Sequence, residues 1–133
     1  MSKPEVENVA SNIIEVYKER RRLEQSGVWC KLPAGRIKVK SAIRNPEFAR
    51  KVKPFAENLG ELQEDDAAFK EVIAILAETI VLDWDGFGED YTSERFIEIC
   101  EELKDCGFAE DVLQFILDKD LFNQIAVAKA GKN

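Results

Sequence analysis

A short segment that alternates polar and apolar residues constrains the fold of this chain more than any other feature of its sequence. Residues 36–40 read Arg-Ile-Lys-Val-Lys, and residues 28–32 are rich in strand-forming side chains. Pro33-Ala34-Gly35 between them favours a turn, so the pattern predicts a β-hairpin with one apolar and one basic face. Because two strands alone are marginally stable in water, the hairpin must pack on a helix or on another strand.

Helical periodicity fills much of the chain on either side of this hairpin. A first amphipathic helix is predicted over residues 5–24, and Ser26-Gly27 supplies its stop. Asn45-Pro46-Glu47 is typical of a helix start, because it combines an N-cap, a proline at the first helical position and an acidic first turn. We expect this second helix to end at Gly60.

Three further helices are expected in the second half of the chain. Asp65-Asp66 opens a central helix whose apolar pattern continues to Leu82, and Thr92 or Ser93 caps the next helix. The fifth helix carries Val112, Phe115 and Ile116, and Asp118-Lys119-Asp120 bends or breaks it.

The predicted fold class is therefore α+β, mainly α, with about five helices and one β-hairpin between the first and second helix. The N-terminal helix in residues 1–26 is expected to form one unit with a helical domain in residues 27–128. Residues 129–133 are expected to be a flexible tail. A chain of 133 residues with 45% apolar and 34% charged side chains has the composition of a globular domain with a substantial core.

The charge is distributed unevenly along the chain. Residues 1–60 hold 13 basic and 7 acidic residues, whereas residues 61–133 hold 6 basic and 19 acidic ones. The favoured interpretation is that the two halves pack on each other and neutralise part of this field; the alternative is an acidic face that steers a basic partner. A nucleic-acid partner is not predicted, since the whole domain is acidic and the arginines at 20–22 are flanked by glutamates.

Several classes of protein do not fit this sequence. No apolar run approaches the roughly 20 residues that span a bilayer, and the N-terminus has no apolar stretch typical of a signal peptide, so we expect a cytoplasmic protein without a membrane partner. Cys30, Cys100 and Cys106 are expected to be reduced thiols. With no histidine and no common zinc spacing, neither a metal site nor a cofactor is predicted.

The segment Asp83-Trp84-Asp85-Gly86-Phe87-Gly88 is the one candidate for chemistry. Asp83, Asp85, Gly88 and Glu94 match positions 1, 3, 6 and 12 of a calcium loop, but Phe87 stands where an oxygen ligand is needed. A plain turn with two surface aspartates is the favoured interpretation, and calcium binding is the alternative. Paired carboxylates without a tuned partner in a cleft do not indicate acid–base catalysis, so the chain is not expected to be an enzyme.

Two aromatic side chains in this segment have two possible roles. Trp84 and Phe87 flank glycines, and they are expected to fold back onto the core, as buried aromatic side chains usually do. The alternative is that they anchor a partner. Trp29 poses the same question, because it lies on the face of the hairpin opposite Val28 and Cys30.

The order of these segments resembles one known family. The hairpin of residues 27–39, the Asn45-Pro46 helix start, the junction at residues 77–86 and the helix restart at Tyr91-Thr92-Ser93-Glu94 together resemble tail assembly chaperones of long-tailed, siphophage-type bacteriophages or prophages. The stretch from Phe115 to Phe122 is similar to the end of that family's domain. The resemblance covers roughly residues 27–123.

The resemblance implies a non-enzymatic viral protein in the cytoplasm of an infected or lysogenic bacterium. Such a chaperone binds the tape measure protein, keeps it soluble, assists assembly of the tail tube and is absent from the mature virion; the tail tube protein is a second possible partner. Phe115, Leu121 and Phe122, with Trp84 and Phe87, are the residues expected near the partner. The alternative function is a structural head–tail completion or minor tail protein that stays in the virion.

Overall fold

The computed structural model describes residues 13–130, and these residues form six α-helices and a three-stranded antiparallel sheet. The α+β, mainly α class predicted from the sequence is confirmed. The helices are α1 (Ile13–Ser26), α2 (Pro46–Val52), α3 (Asp66–Thr79), α4 (Ser93–Glu102), α5 (Phe108–Leu117) and α6 (Lys119–Ala130). The strands are β1 (Val28–Leu32), β2 (Gly35–Val39) and β3 (Val81–Asp85). A 3₁₀ segment, Lys53–Glu64, follows α2 and is interrupted by non-helical backbone at Asn58 and Glu61, and a short 3₁₀-helix, Lys104–Cys106, follows α4.

The predicted hairpin is present. β1 and β2 pair in antiparallel register with Leu32 opposite Gly35, and the turn between them places Ala34 in a left-handed conformation with φ of 66°. The inner face of the hairpin is apolar and buried. Its outer face carries the basic residues, as the alternation in the sequence predicts.

A third strand takes the place of the predicted end of the central helix. That helix ends at Thr79, where the Thr79 hydroxyl donates to the carbonyl of Ile75, and Val81 and Leu82 already belong to β3. The N–H of Lys40, just after β2, donates to the carbonyl of Ile80, just before β3, at 3.0 Å. This bond extends the pairing of β2 with β3 by one residue. The helical prediction through Leu82 was therefore wrong, because pairing with the hairpin determines the backbone conformation there.

One further helix boundary differs from its prediction, and the break predicted at Asp118-Lys119-Asp120 in the fifth helix is confirmed. α2 ends at Val52 rather than Gly60, because Pro54 lacks an N–H and its ring conflicts with a continuing helix. The fifth helix is broken in two, since the Asp118 carboxylate accepts from the N–H groups of Asp120 and Leu121 at 2.9 and 3.2 Å and caps α6. Residues 129–133 were predicted to form a flexible tail, but Lys129 and Ala130 belong to α6.

The helix caps read from the sequence are present. Asn45 accepts from Phe48 N–H, Asp65 accepts from Ala67 and Ala68 N–H, and Thr92 accepts from Arg95 N–H. Gly27, with φ of 93°, ends α1 as predicted. Residues 5–12 of the first predicted helix and residues 131–133 of the predicted tail lie outside the described residues.

The core lies between the inner face of the sheet and the helices. α3 packs against α2 and α4, and α1 packs along α6. The largest side chains that are fully buried are Phe96, Phe122, Ile37, Ile73, Leu76, Ile80 and Ile116. These residues come from β2, from four helices and from the link before β3, so the described residues share one continuous hydrophobic core.

Candidate partner-binding surface

Trp84 and Phe87 close onto the core. The Trp84 side chain is 5% exposed, its ring stacks on Phe87 with 4.2 Å between the ring centroids, and its Nε1 donates to the carbonyl of Glu89 at 2.7 Å. Tyr91 meets the same indole edge to face at 5.0 Å. The favoured prediction for these two aromatics is confirmed, and the indole has little surface left for a partner.

The two aspartates that suggested a calcium loop are part of the sheet. Asp83 and Asp85 lie on the outer face of β3, opposite Lys38 and Arg36 of β2, and Asp85 pairs with Arg36 at 3.3 Å. Asp85 therefore takes part in cross-strand charge pairing, whereas the Asp83 carboxylate accepts from the N–H of Trp84 at 2.8 Å. Within residues 13–130, no group of three or more side chains is arranged to hold a metal ion.

The three residues expected near a partner on α5 and α6 differ in exposure. Phe122 is completely buried, whereas Phe115 and Leu121 are half-buried against the core. A partner can reach Phe122 only if the surrounding helices separate. The assignment of these residues to partner binding stays a prediction, and the accessible apolar surface of the C-terminal half lies mainly on other residues.

An open apolar groove runs between α5 and the long 3₁₀ segment. We name it the Leu117 groove; its volume is about 520 Å³, and it is lined by Leu59, Glu110, Leu113, Gln114, Leu117 and Asp118. The Leu117 side chain is 48% exposed and lies in the lining of this groove with Leu59 and Leu113. This groove offers apolar contact area without any rearrangement of the fold.

A second groove lies on the other flank of α5, at the tip of the hairpin. We name it the Phe87 groove; its volume is about 300 Å³, and it is lined by Leu32, Pro33, Gly35, Gly86, Phe87, Leu103, Cys106, Phe108 and Asp111. Phe87 is half-buried here and meets Phe108 edge to face at 6.0 Å. Phe87, which is one of the five residues predicted near a partner, thus lines an apolar groove.

The charged residues that line both grooves are all acidic. Glu110 and Asp118 border the Leu117 groove, and Asp111 borders the Phe87 groove. A third depression, between the 3₁₀ segment and α3, has Phe55 in its lining together with four carboxylates, those of Glu61, Glu64, Asp65 and Glu71. Each of the three depressions therefore combines apolar lining with carboxylates, which suits a basic amphipathic segment.

The buried thiols are not arranged for chemistry. Burial raises the pKa of Cys30 to about 11 and raises the pKa of Cys100 further, so both thiols are neutral at pH 7 and are weak nucleophiles. Cys106 is exposed beside the Phe87 groove. These positions support a structural role for Cys30 and Cys100.

The sequence patterns did not predict that Leu117 and Leu113 line a groove. The available signal was that apolar residues of α5 at positions 112, 113, 116 and 117 cover more of the helix than one narrow stripe requires. Which of them stays exposed depends on the packing of the 3₁₀ segment, and that packing is not visible in the periodicity.

In residues 13–130, no helix is both long and apolar enough to cross a bilayer. Comparison of the chain with models of protein families, with curated proteins and with solved structures finds no match.

Proposed function

We propose that this protein is a tail assembly chaperone of a long-tailed bacteriophage or prophage. It binds the tape measure protein in the bacterial cytoplasm, keeps it soluble and assists assembly of the tail tube without remaining in the virion. The proposal draws on the resemblance in segment order over residues 27–123. The observation that carries it is the Leu117 groove, a preformed apolar groove whose charged lining is acidic.

The chemistry of the groove suits an amphipathic helix. A helix presents apolar side chains at i, i+3, i+4 and i+7, and such a stripe can contact Leu59, Leu113 and Leu117 while basic residues beside it face Glu110 and Asp118. Burying apolar area is worth roughly 25 cal/mol per Å², most of which is offset by the cost of association. Contact of this kind favours a complex that can dissociate when the tail tube polymerises.

The net charge of −7 supports the solubilising part of the proposal. A long helical protein with exposed apolar stripes self-associates, and a bound acidic chaperone covers part of that surface and adds repulsion between complexes. The sites of partner contact that we propose are the Leu117 groove and the Phe87 groove, together with the half-buried side chains of Phe115 and Leu121.

Co-expression with the tape measure protein encoded by the neighbouring gene tests this function. We expect the tape measure protein to become soluble and to co-purify with the chaperone. Leu117→Glu should reduce the recovered complex about tenfold or more, because it places a charge in the apolar groove. Val127→Glu is the matched control, since Val127 on α6 is 50% exposed and lies outside the groove.

The outcomes separate the two candidate functions. Retained solubility of the tape measure protein with Val127→Glu, and its loss with Leu117→Glu, supports the chaperone. If the tape measure protein stays insoluble while this protein is found in purified particles, the structural head–tail or minor tail function replaces the proposal.

A further inference from the structure

The outer face of the sheet carries basic and aromatic side chains that have no role in the proposed function. β1 contributes Trp29 and Lys31, β2 contributes Arg36 and Lys38, and Lys40 continues the alternation one residue beyond β2. Every one of these side chains is exposed or half-buried. We name this set the basic sheet face.

Most of the cations on this face have no acidic partner at ion-pair distance among the described residues. Arg36 pairs with Asp85, but Lys31, Lys38 and Lys40 take part in none of the ion pairs of residues 13–130. Elsewhere in the molecule, cations such as Lys51, Lys104 and Arg95 do have carboxylate partners. The three lysines therefore form a local positive patch on a protein that is acidic overall.

An aromatic ring lies within this patch. The Arg36 guanidinium carbon stands 4.2 Å from the centre of the Trp29 ring, while Lys38 lies opposite Trp29 in the strand register. A guanidinium over an indole is a favourable cation–π arrangement that holds both groups in place. The face thus presents a positioned, partly exposed aromatic surface surrounded by positive charge.

We infer that the basic sheet face binds an acidic peptide segment that carries an aromatic or aliphatic side chain. The carboxylates of such a segment face Lys31, Lys38 and Lys40, and its apolar side chain rests on the Trp29–Arg36 pair. β1 is also an edge strand of the sheet, so an extended segment can align along it. The inference is independent of the proposed function, because it concerns a different surface and a partner of opposite charge.

An acidic peptide fits this face better than a nucleic acid does. Asp83 and Asp85 lie on the same face at the β3 edge, where a continuous phosphate backbone would meet negative charge. A peptide with a few carboxylates can place them over the lysines alone.

The test uses the full chain and a fluorescein-labelled peptide of about twelve residues in which glutamate alternates with valine around one central phenylalanine. This peptide is longer than the five residues of β1, so its central part can align along the whole strand. Binding is followed by fluorescence anisotropy. We expect saturable binding that weakens as salt is raised and is absent for the same peptide with lysine in place of glutamate. The double variant Lys31→Glu/Lys38→Glu should weaken binding about tenfold or more, and Trp29→Ala should weaken it several-fold.

The double variant Lys53→Glu/Lys119→Glu provides the matched control, because it makes the same net charge change at two exposed positions outside the sheet. It should leave the affinity for the peptide unchanged. Circular dichroism of each variant establishes that the fold is retained, and if Trp29→Ala loses the fold, Trp29→Phe takes its place. The sheet-face variants should still solubilise the tape measure protein, so failure of either proposal is recognised separately.

Three results would overturn the inference. The first is absence of peptide binding, or equal binding by the wild-type protein and the double lysine variant. The second is tighter binding of an oligothymidylate of equal formal charge, which would assign the face to nucleic acid. The third is salt-sensitive self-association that the double lysine variant abolishes while the peptide does not bind, which would assign the face to a second copy of this chain.

Discussion

At the scale of single residues, Gly86 shows why the loop after β3 contains glycine. It has φ of 90°, and a Cβ atom built on it would lie 2.6 Å from the carbonyl oxygen of Ala34 and 2.7 Å from the Cα of Gly35. Gly35 is confined in the same way, because its Cβ would lie 2.5 Å from the carbonyl oxygen of Asp85. Backbone meets backbone here, so the tip of the hairpin and the end of β3 need small residues at both positions.

Gly86→Ala is expected to destabilise the protein by about 2 kcal/mol or more, since it adds both left-handed strain and a backbone clash. Gly88→Ala is the control: Gly88 has φ of 78°, but a Cβ atom there would meet no atom within 4 Å. It should cost only about 1 kcal/mol of left-handed strain. Urea unfolding measures both, and equal losses would contradict the close approach of the two loops.

The cysteines should react in a defined order with a thiol reagent such as dithionitrobenzoate. Cys106 is exposed and should react in the native protein, whereas Cys30 and Cys100 are buried and should react only after unfolding. The rates of the slow thiols should rise with urea in parallel with the loss of circular dichroism. Rapid reaction of all three thiols in native buffer would show that the core around them opens locally.

The raised pKa of Cys30 also has a consequence for stability at alkaline pH. The folded thiol titrates at about 11, above its ordinary value of 9.0, so between these values the unfolded chain loses its proton first. The contribution of this group is complete below pH 9 and is lost as pH rises towards 11. We expect the free energy of unfolding to fall over this range, and to fall less in a Cys30→Ser variant.

At the scale of elements, Asn45 does more than cap a helix. Its Oδ1 accepts from Phe48 N–H at 3.1 Å, while its Nδ2 donates to the carbonyls of Ser41 at 3.1 Å and Thr79 at 3.4 Å. The side chain therefore joins the start of α2 to the link after β2 and to the end of α3.

Asn45→Ala should destabilise the protein by about 2 kcal/mol, because it removes a cap and leaves two carbonyls without a donor. Asp65→Ala is the matched comparison, since Asp65 caps α3 from an exposed position and bonds only to Ala67 and Ala68 N–H. Its loss should cost about 1 kcal/mol. Thermal unfolding followed by circular dichroism checks both values, and a smaller effect at Asn45 than at Asp65 would argue against the joining role.

The elements that could be predicted from the sequence were those set by local chemistry. The hairpin follows from alternation and a turn, and the starts of α2, α3 and α4 follow from their caps. β3 could not be predicted, because Val81 and Leu82 continue the apolar pattern of α3 and only pairing with β2 makes them a strand. The Leu117 groove was missed for a related reason, since the exposure of Leu117 depends on a distant 3₁₀ segment.

At the scale of the whole molecule, the basic and acidic halves of the chain do pack on each other. Arg36 pairs with Asp85 at 3.3 Å, Lys51 pairs with Glu78, and Arg20 on α1 donates to Asn123 on α6 at 3.1 Å. After this packing, two surfaces of opposite charge remain exposed, which are the basic sheet face and the acidic grooves. The uneven charge in the sequence thus serves internal contact and also leaves two surfaces of opposite sign.

One buried carboxylate holds α1 to the rest of the molecule. The Glu24 side chain is 2% exposed and accepts two hydrogen bonds from Arg44, whose own side chain is 43% exposed. Arg44 sits in a left-handed conformation with φ of 58°, and its carbonyl accepts from Arg21 at 3.1 Å.

Ser41 N–H donates to the carbonyl of Glu24, and Ala42 N–H donates to the carbonyl of Ile116 on α5. The link between β2 and α2 therefore connects α1 to α5.

Arg44→Ala is expected to lower the free energy of unfolding by about 2 kcal/mol, because it leaves the buried Glu24 carboxylate with only the more distant Arg20 and Arg21, both at 3.8 Å. Arg22→Ala is the control: it removes the ion pair with Glu19 on the exposed side of α1, and such a pair contributes little to stability because solvent screens it. Urea unfolding followed by both tryptophan fluorescence and circular dichroism measures the two variants.

The same experiment tests whether α1 belongs to the domain. If α1 and residues 27–130 form one cooperative unit, the fluorescence and circular dichroism transitions coincide in the wild-type protein and in Arg44→Ala, with only the midpoint shifted. A separate early transition in circular dichroism, with tryptophan fluorescence unchanged, would mean that α1 detaches on its own. In that case the buried Glu24–Arg44 contact would hold a docked helix in place without contributing to the stability of the core.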